Sequence, residues 1–296
     1  MTVSEDEMKA IAREIRGQVV QMSHVKKTPH LGSSLSCVDI VVAVYWGVLR
    51  IDPQNPWDPG RDRFILSKGH AATTLYAALA RRGYYDPAVL ETYNQDGGHL
   101  AEHPCLRCVP GVEASTGSLG HGLPLALGMA LAQRIRCAGG ETPGLAKTVS
   151  SQAGTFPPSA TQYRCFVLMS DGECEEGAVW EAALFAAAQK IDDVAVIIDY
   201  NKWQATGRSD EVMALGPLVD KWRAFGWSAR ELDGHDIGAL LAALEKLPDG
   251  SGKPLAIVAH TVKGKGVSFM EDDNNWHYRT PTADELQAAR KELGLA

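Results

Sequence analysis

Two continuous apolar runs, CFVLMS (165–170) and VAVIIDY (194–200), bracket a segment that reads as a helix, AVWEAALFAAAQK, and nothing else in the chain constrains the fold as much. Neither run alternates apolar with polar residues, so each reads as a strand buried on both faces. A strand, a crossover helix and a second strand build a parallel sheet with helices packed against it. The order continues downstream, where LGPLVDKWRAFG and IGALLAALEKL read as helices and PLAIVAHT as a strand; upstream, RDRFILS is a short strand candidate. The expected fold is therefore α/β: a doubly wound, mostly parallel sheet flanked by helices.

The remaining segments fill in around this frame. Residues 4–24 carry Ile11, Ile15, Val19 and Met22 at helical spacing. KKTPHLGSSLS breaks that helix and leaves His30 in a loop, and a second helix runs through VDIVVAVYWGVL. DPQNPWDPG is a surface turn, residues 95–121 read as connection, and a helix follows over 122–137. Residues 139–162 are rich in Gly, Ser, Thr and Pro and read as a flexible surface insertion. PTADELQAARKELGLA closes the chain as a short amphipathic helix. With no internal repeat and no clean boundary, residues 1–296 are expected to form a single domain.

Composition excludes several functions. A formal charge of −7 gives no basic face for nucleic acid. No apolar run reaches the roughly 20 residues of a membrane span, and the charged, amphipathic N-terminus lacks the apolar core of a signal peptide. A cytoplasmic setting is the expectation. Six cysteines in 296 residues are too sparse for a disulfide scaffold. Cys105 and Cys108, preceded by His99 and His103, resemble half a zinc site, but no second Cys-x-x-Cys supplies the rest.

In parallel sheets ligands bind beyond the carboxyl ends of the strands. There the two strong strands present Asp171 and Asn201 to one edge. A carboxylate and an amide oxygen are hard ligands for Mg²⁺ or Ca²⁺, with phosphate oxygens completing the shell. A strand-end Asp that caps a helix and an Asn in a turn would account for the same spacing.

The segment SDGECEEGAVWEAALFAAAQKIDDVAVIIDYNKWQATG resembles the thiamine-diphosphate motif of transketolases, a Gly-Asp-Gly followed some thirty residues later by an Asn. That resemblance implies a thiamine-diphosphate fold in which Asp171, Asn201 and the Trp203 backbone carbonyl bind Mg²⁺, with Ca²⁺ able to substitute. Gly172 belongs to the same motif. Ser170 stands where the family has its first glycine, so a positive φ there would be strained. ASTGSLGHGLPLALGMA is similar to the family's glycine loop, which implies that Gly117, Ser118 and Leu119 approach the cofactor. Free N–H groups at such a helix start favour a phosphate.

Four of the nine histidines fall at family positions: His30 in TPHLGSSLS, His70 in LSKGHA, His103 in EHPCLRCVPGVE and His277 in DNNWHYRTP. The resemblance implies that His70 and His277 contact the diphosphate region. His30, His103 and His277 are then the candidates for proton and hydroxyl handling, a task suited to imidazole near neutral pH. It also implies roles for Glu176, for Glu181 in a carboxylate network, and for Lys263, with Lys265 beside it.

Full-length transketolases carry further domains, one of which holds the cofactor's pyrimidine ring, and nothing after His277 resembles these. The resemblance therefore implies the diphosphate-binding subunit of a split transketolase, paired in a heterotetramer with a C-terminal subunit that carries the pyrimidine-binding domain, and acting on sugar phosphates. Rival readings are the α-type chain of a thiamine-dependent acyl-transferring E1 component, a biosynthetic two-carbon transferase with a non-sugar acceptor, and a non-catalytic scaffold. A nucleotide-binding dehydrogenase lacks its Gly-x-Gly-x-x-Gly after the first strand.

Overall fold

The computed structural model describes residues 3–137 and 162–295. Its strands are β1 (Arg63–Leu66), β2 (Cys165–Ser170), β3 (Val194–Tyr200), β4 (Ser228–Asp233) and β5 (Leu255–His260), joined in one sheet of order β1-β2-β3-β5-β4. Every neighbouring pair is parallel. The helices follow in chain order as α1 (Glu5–Lys26), α2 (Leu31–Ser36), α3 (Val38–Ala43), α4 (Ala72–Arg82), α5 (Gly122–Cys137), α6 (Gly177–Ala188), α7 (Ser209–Val212), α8 (Leu218–Ala224), α9 (Ile237–Leu244) and α10 (Ala283–Glu292).

Because successive strand side chains point to opposite faces, the apolar runs feed two cores. Phe166, Leu168, Ala195, Ile197 and Ile257 pack on one side, closed by residues of α1, α3, α4 and α9. Cys165, Val167, Met169, Val196 and Ile198 pack on the other, closed by α5, α6 and α8. The runs are apolar without interruption because both faces are covered, as expected from the sequence.

Three local expectations are corrected. VDIVVAVYWGVL is not one α-helix: α3 ends at Ala43 and the chain widens into a π-turn over Val44–Val48. A Cβ on Gly47 would lie 2.2 Å from Leu241 Cδ2, so this turn is where α9 packs closest. His30 is not inside a loop but is the residue before α2, in a left-handed conformation with φ 70°. SARELD forms β4, which sequence patterning does not pick out. It is an edge strand paired only to β5 and half exposed, so it has no apolar run to announce it. Of the expected insertion at 139–162, residues 139–161 lie outside the described residues.

All six cysteines are free, and among the described residues no helix is long and apolar enough to cross a membrane. Nor does any group of three or more His, Cys, Asp or Glu among them form a metal cage, the Cys105–Cys108 region included.

Candidate active site at the carboxyl edge of the sheet

The carboxyl ends of β1, β2, β3 and β5 lie side by side, and most residues singled out in the sequence sit there. Asp171 directly follows β2 and Asn201 directly follows β3, in strands whose register pairs Ser170 with Asp199. Both side chains are buried. Asp171 Oδ2 accepts hydrogen bonds from the Lys202 amide at 2.9 Å and the Ser209 hydroxyl at 2.8 Å, and its Oδ1 accepts from the Gly172 amide. Asn201 Oδ1 accepts from the Trp203 amide at 3.0 Å. Lys202 holds φ at 69°, and that left-handed residue turns the chain back between Asn201 and Trp203. The Trp203 indole donates to Asp272 at 2.8 Å under the Arg208 guanidinium. Ser170 ends β2 in extended conformation and is not among the residues of positive φ, so the serine-for-glycine exchange brings no strain.

Burial pushes the Asp171 carboxyl up to about 6 against the pull of the Ser209 hydrogen bond, and among the described residues it has no ion-pair partner. A buried carboxylate held only by neutral donors is an uncompensated negative charge. Beside it, Asn201 Oδ1 has accepted one bond and keeps a lone pair. Two hard oxygens and an unbalanced charge fit a divalent cation of the Mg²⁺ or Ca²⁺ type.

Opposite this corner is a basic one. The ring centroid of His30 lies 5.0 Å from that of His277, 5.4 Å from His70 and 6.2 Å from His103, so the four histidines form one cluster. The His30 amide donates to the His277 carbonyl at 2.6 Å, tying two loops that are remote in sequence. Lys263 Nζ is buried and, among the described residues, reaches only neutral acceptors, Asn274 Oδ1 at 2.7 Å and His277 Nδ1 at 3.2 Å. With Lys263 donating to Nδ1, His277 carries its proton on Nε2. Burial and then the nearby Lys68 charge bring the Lys263 amine down to about 8. Burial likewise holds His30 down to about 4 and His277 to about 3, and places His70 well below its ordinary value. These three imidazoles are thus neutral at pH 7, and a buried ammonium lacks an anion among the described residues. A diphosphate is an anion of the right kind for that place.

The glycine loop lies between the two corners. Gly117 has φ 141°, and a Cβ there would come within 2.9 Å of the His103 ring; one on Gly69 would lie 2.7 Å from the Gly117 amide. Backbone therefore passes closely between His103 and the start of the helix carrying His70. Glu176 packs against this loop, 2.7 Å from where a Gly120 Cβ would sit, but its side chain is exposed. Ser118 is exposed and Leu119 half-buried on the same loop. Glu181 lies exposed on α6, away from the cluster's hydrogen bonds. Lys265 pairs with Glu271 at 3.3 Å rather than entering the cluster.

Several residues that hold the site together carry no motif. Glu173, fully buried, accepts from the Ser67 hydroxyl and, at 2.9 Å, from the Gly120 amide, and so locks the glycine loop to β1 and β2. Lys68 and Asp199 form a fully buried ion pair; burial alone would raise the Asp199 carboxyl, but Lys68 holds it low. Ser36 and Thr261 also donate to Asp199. An aspartate inside the run VAVIIDY could have signalled this pair, since a charge in an apolar strand requires a partner. Asp39 accepts from Arg16 at 3.0 and 2.6 Å and from His235 Nδ1 at 2.7 Å. His235 Nε2 accepts the Val262 amide at 2.9 Å, and Arg16 Nε donates to the Lys265 carbonyl. This network grips the loop that bears Lys263, and no local pattern announces it.

Comparison with known proteins agrees with this geometry. Residues 7–296 match the family described as "Transketolase, thiamine diphosphate binding domain". One of the two chains of an apulose-4-phosphate transketolase from Phocaeicola vulgatus is 35% identical over 278 residues, covering 94% of this chain and 90% of the relative. A 6-deoxy-6-sulfo-D-fructose transketolase subunit from a Clostridium is 39% identical over 264 residues, covering 89% of this chain and 88% of that one. Among solved structures, transketolase from Leishmania mexicana superposes with a TM-score of 0.86 at 26% identity, over 97% of this chain and 41% of that chain. Transketolase from Pichia stipitis in complex with sedoheptulose-7-phosphate gives 0.85 at 28% identity, over 98% and 41%. The chain thus spans about two fifths of the solved transketolases and nearly the whole of the two subunits.

Proposed function

The chain belongs to the transketolase family, as its thiamine diphosphate binding domain, and from that premise we propose that it is the diphosphate-binding subunit of a two-chain transketolase. It transfers a two-carbon ketol unit from a ketose, in phosphorylated form, to an aldehyde acceptor, in the cytoplasm. Near-complete coverage of two relatives named as subunits, beside two-fifths coverage of the solved transketolases, supports the split. A C-terminal subunit carrying the pyrimidine-binding domain would complete a heterotetramer. Residues 1–296 form one domain in this reading.

The observation that carries it is the pairing of unbalanced charges: a buried carboxylate without a cation at Asp171, and a buried ammonium without an anion at Lys263, both among the described residues. A metal diphosphate satisfies both. Asp171, Asn201 and the Trp203 carbonyl would hold the divalent ion, with Gly172 shaping the turn. Lys263, His70 and His277 would hold the diphosphate, and the loop Gly117, Ser118 and Leu119, backed by Glu176, would close over the cofactor. When bound, thiamine diphosphate supplies the electron sink for carbon–carbon cleavage.

This chain's own residues orient the substrate and move protons. His30, His103 and His277 are neutral or exposed to the cleft and can bind hydroxyls or exchange a proton with them. Lys263, donating to His277 Nδ1, fixes the tautomer that presents Nε2–H to the cleft. The test is an assay of ketol transfer with this chain by itself, with the C-terminal partner by itself, and with both. Only the mixture should turn over, in a reaction needing thiamine diphosphate and a divalent ion. Turnover by this chain without its partner, or none by the mixture, contradicts the proposal.

A further inference from the structure

A second site lies at the opposite end of the sheet, at the amino end of β1, and it is charged differently from the first. A cleft of about 510 Å³ is lined there by Trp57, Arg61, Arg63, Leu106, Arg107 and Glu113, among others. The Arg61 and Arg63 side chains are only 10% and 11% exposed, and both turn to a single carboxylate, Glu113. Arg61 takes it in two bonds of 2.8 and 2.7 Å, which leaves Arg63 at 3.7 Å. Arg63 otherwise donates to the backbone carbonyls of Arg61 and Pro59 and lies against the Tyr163 ring. Arg107, on the facing wall, is exposed and held at φ 60°, its guanidinium 5.8 Å from the centre of the Trp57 indole. Three guanidiniums therefore share one carboxylate among the described residues.

Charges this far from water are stable only when balanced. A guanidinium fork also matches the geometry of phosphate and carboxylate oxygens. A half-exposed indole and Leu106, 54% exposed, add an apolar wall that an inorganic ion would leave uncovered. A left-handed arginine is an uncommon backbone state and is found where a side chain must be aimed.

We propose that this cleft binds a small organic anion, a phosphate or carboxylate carried on an apolar body, with the anionic group between Arg63 and Arg107 and the body on Trp57 and Leu106. The site is independent of the proposed reaction, but it bears on the same loop. Residues 104–116 form an excursion pinched at its neck by the Thr116 amide on the Pro104 carbonyl at 3.1 Å and the Leu106 amide on Ser115 Oγ at 2.8 Å. The excursion carries Leu106, Arg107 and Glu113, and His103 and Gly117 flank its neck. An anion that draws Arg107 toward Arg63 thereby reaches the segment that places His103.

Calorimetric titration of the full chain with phenyl phosphate and with inorganic phosphate tests this. Phenyl phosphate is expected to bind one site at least tenfold more tightly than inorganic phosphate. Arg107→Ala, at an exposed position that leaves the fold intact, should weaken it at least tenfold, whereas Lys263→Met, in the other anion site, should leave it unchanged. The His103 ring resonance, assigned with His103→Asn, should shift on addition of phenyl phosphate to the native chain and stay fixed in the Arg107→Ala chain. Binding that survives Arg107→Ala, or that is lost in Lys263→Met instead, overturns the proposal. Equal affinity for the two probes overturns the role given to Trp57 and Leu106.

Discussion

The acidic and basic corners of the active site are assembled in opposite ways. The acidic corner is local: Asp171, Gly172, Asn201, Lys202, Trp203 and Ser209 all lie within one strand–helix–strand unit and its exit, joined by short hydrogen bonds among themselves. The basic corner draws His30, His70, His103, Lys263 and His277 from loops spread across nearly the whole chain. It stands only because remote groups hold those loops, above all Arg16, Asp39 and His235. A preorganised corner is sensitive to its own residues; an assembled one is also sensitive to its scaffold.

That contrast can be broken by mutation, and the largest effect belongs to the acidic corner. Asp171→Ala removes a charged metal ligand, so Mg²⁺-dependent uptake of thiamine diphosphate should fall by about a hundredfold or more, above the range typical for losing a supporting outer partner. Melting temperature should hold or rise, because a buried uncompensated carboxylate has gone. Lys263→Met should follow, weakening cofactor uptake by roughly tenfold to a hundredfold, the value of a charge-assisted bond of about 1.5–3 kcal/mol. Calorimetry on both variants, with and without Mg²⁺, separates the two: only Asp171→Ala should also abolish the metal dependence.

The scaffold offers a sharper distinction. Asp39→Ala leaves Arg16 buried without its carboxylate and should cost about 3 kcal/mol in chemical denaturation. Its effect on cofactor affinity should be carried through the Lys263 loop and leave the Asp171 turn unmoved, as amide exchange at Lys202 would report. His235→Phe should loosen the same loop by a smaller amount, through loss of the acceptor for the Val262 amide.

The smallest effect is on pH dependence. His30 and His277 titrate near 4 and 3 in the fold, below the ordinary 6.5, so the unfolded chain binds protons first as the solution is acidified. The cofactor-free chain should therefore lose stability from about pH 6.5 down to about 4, and His277→Asn should flatten that slope. Lys263, brought down to about 8, should make the same chain gain stability as pH rises from 8 towards 10.5. A pH-independent stability across either window would remove the case for a buried, unpaired basic corner.

The same contrast explains what the sequence made legible. The apolar strands, their parallel arrangement and the acidic corner follow from patterns a few residues long, and CFVLMS-DG and VAVIIDYN announce both strand and ligand. The family motifs located the histidines, but not that they share one cluster, because that depends on loops folding back over α2. Lys68 with Asp199, Glu173, and the Arg16–Asp39–His235 network went unread, since partners up to 249 residues apart leave no local signature. β4 went unread for a different reason: an exposed edge strand needs no apolar run.

The central claim is that one metal diphosphate balances the Asp171 carboxylate and the Lys263 ammonium together. Its most direct test is a double-mutant cycle of Asp171→Ala and Lys263→Met, read as the affinity of the full chain for Mg²⁺–thiamine diphosphate. Two ends of one ligand should give strongly non-additive losses, the double variant binding little worse than Asp171→Ala by itself. Unchanged affinity in Asp171→Ala, or losses that simply add, would contradict the account.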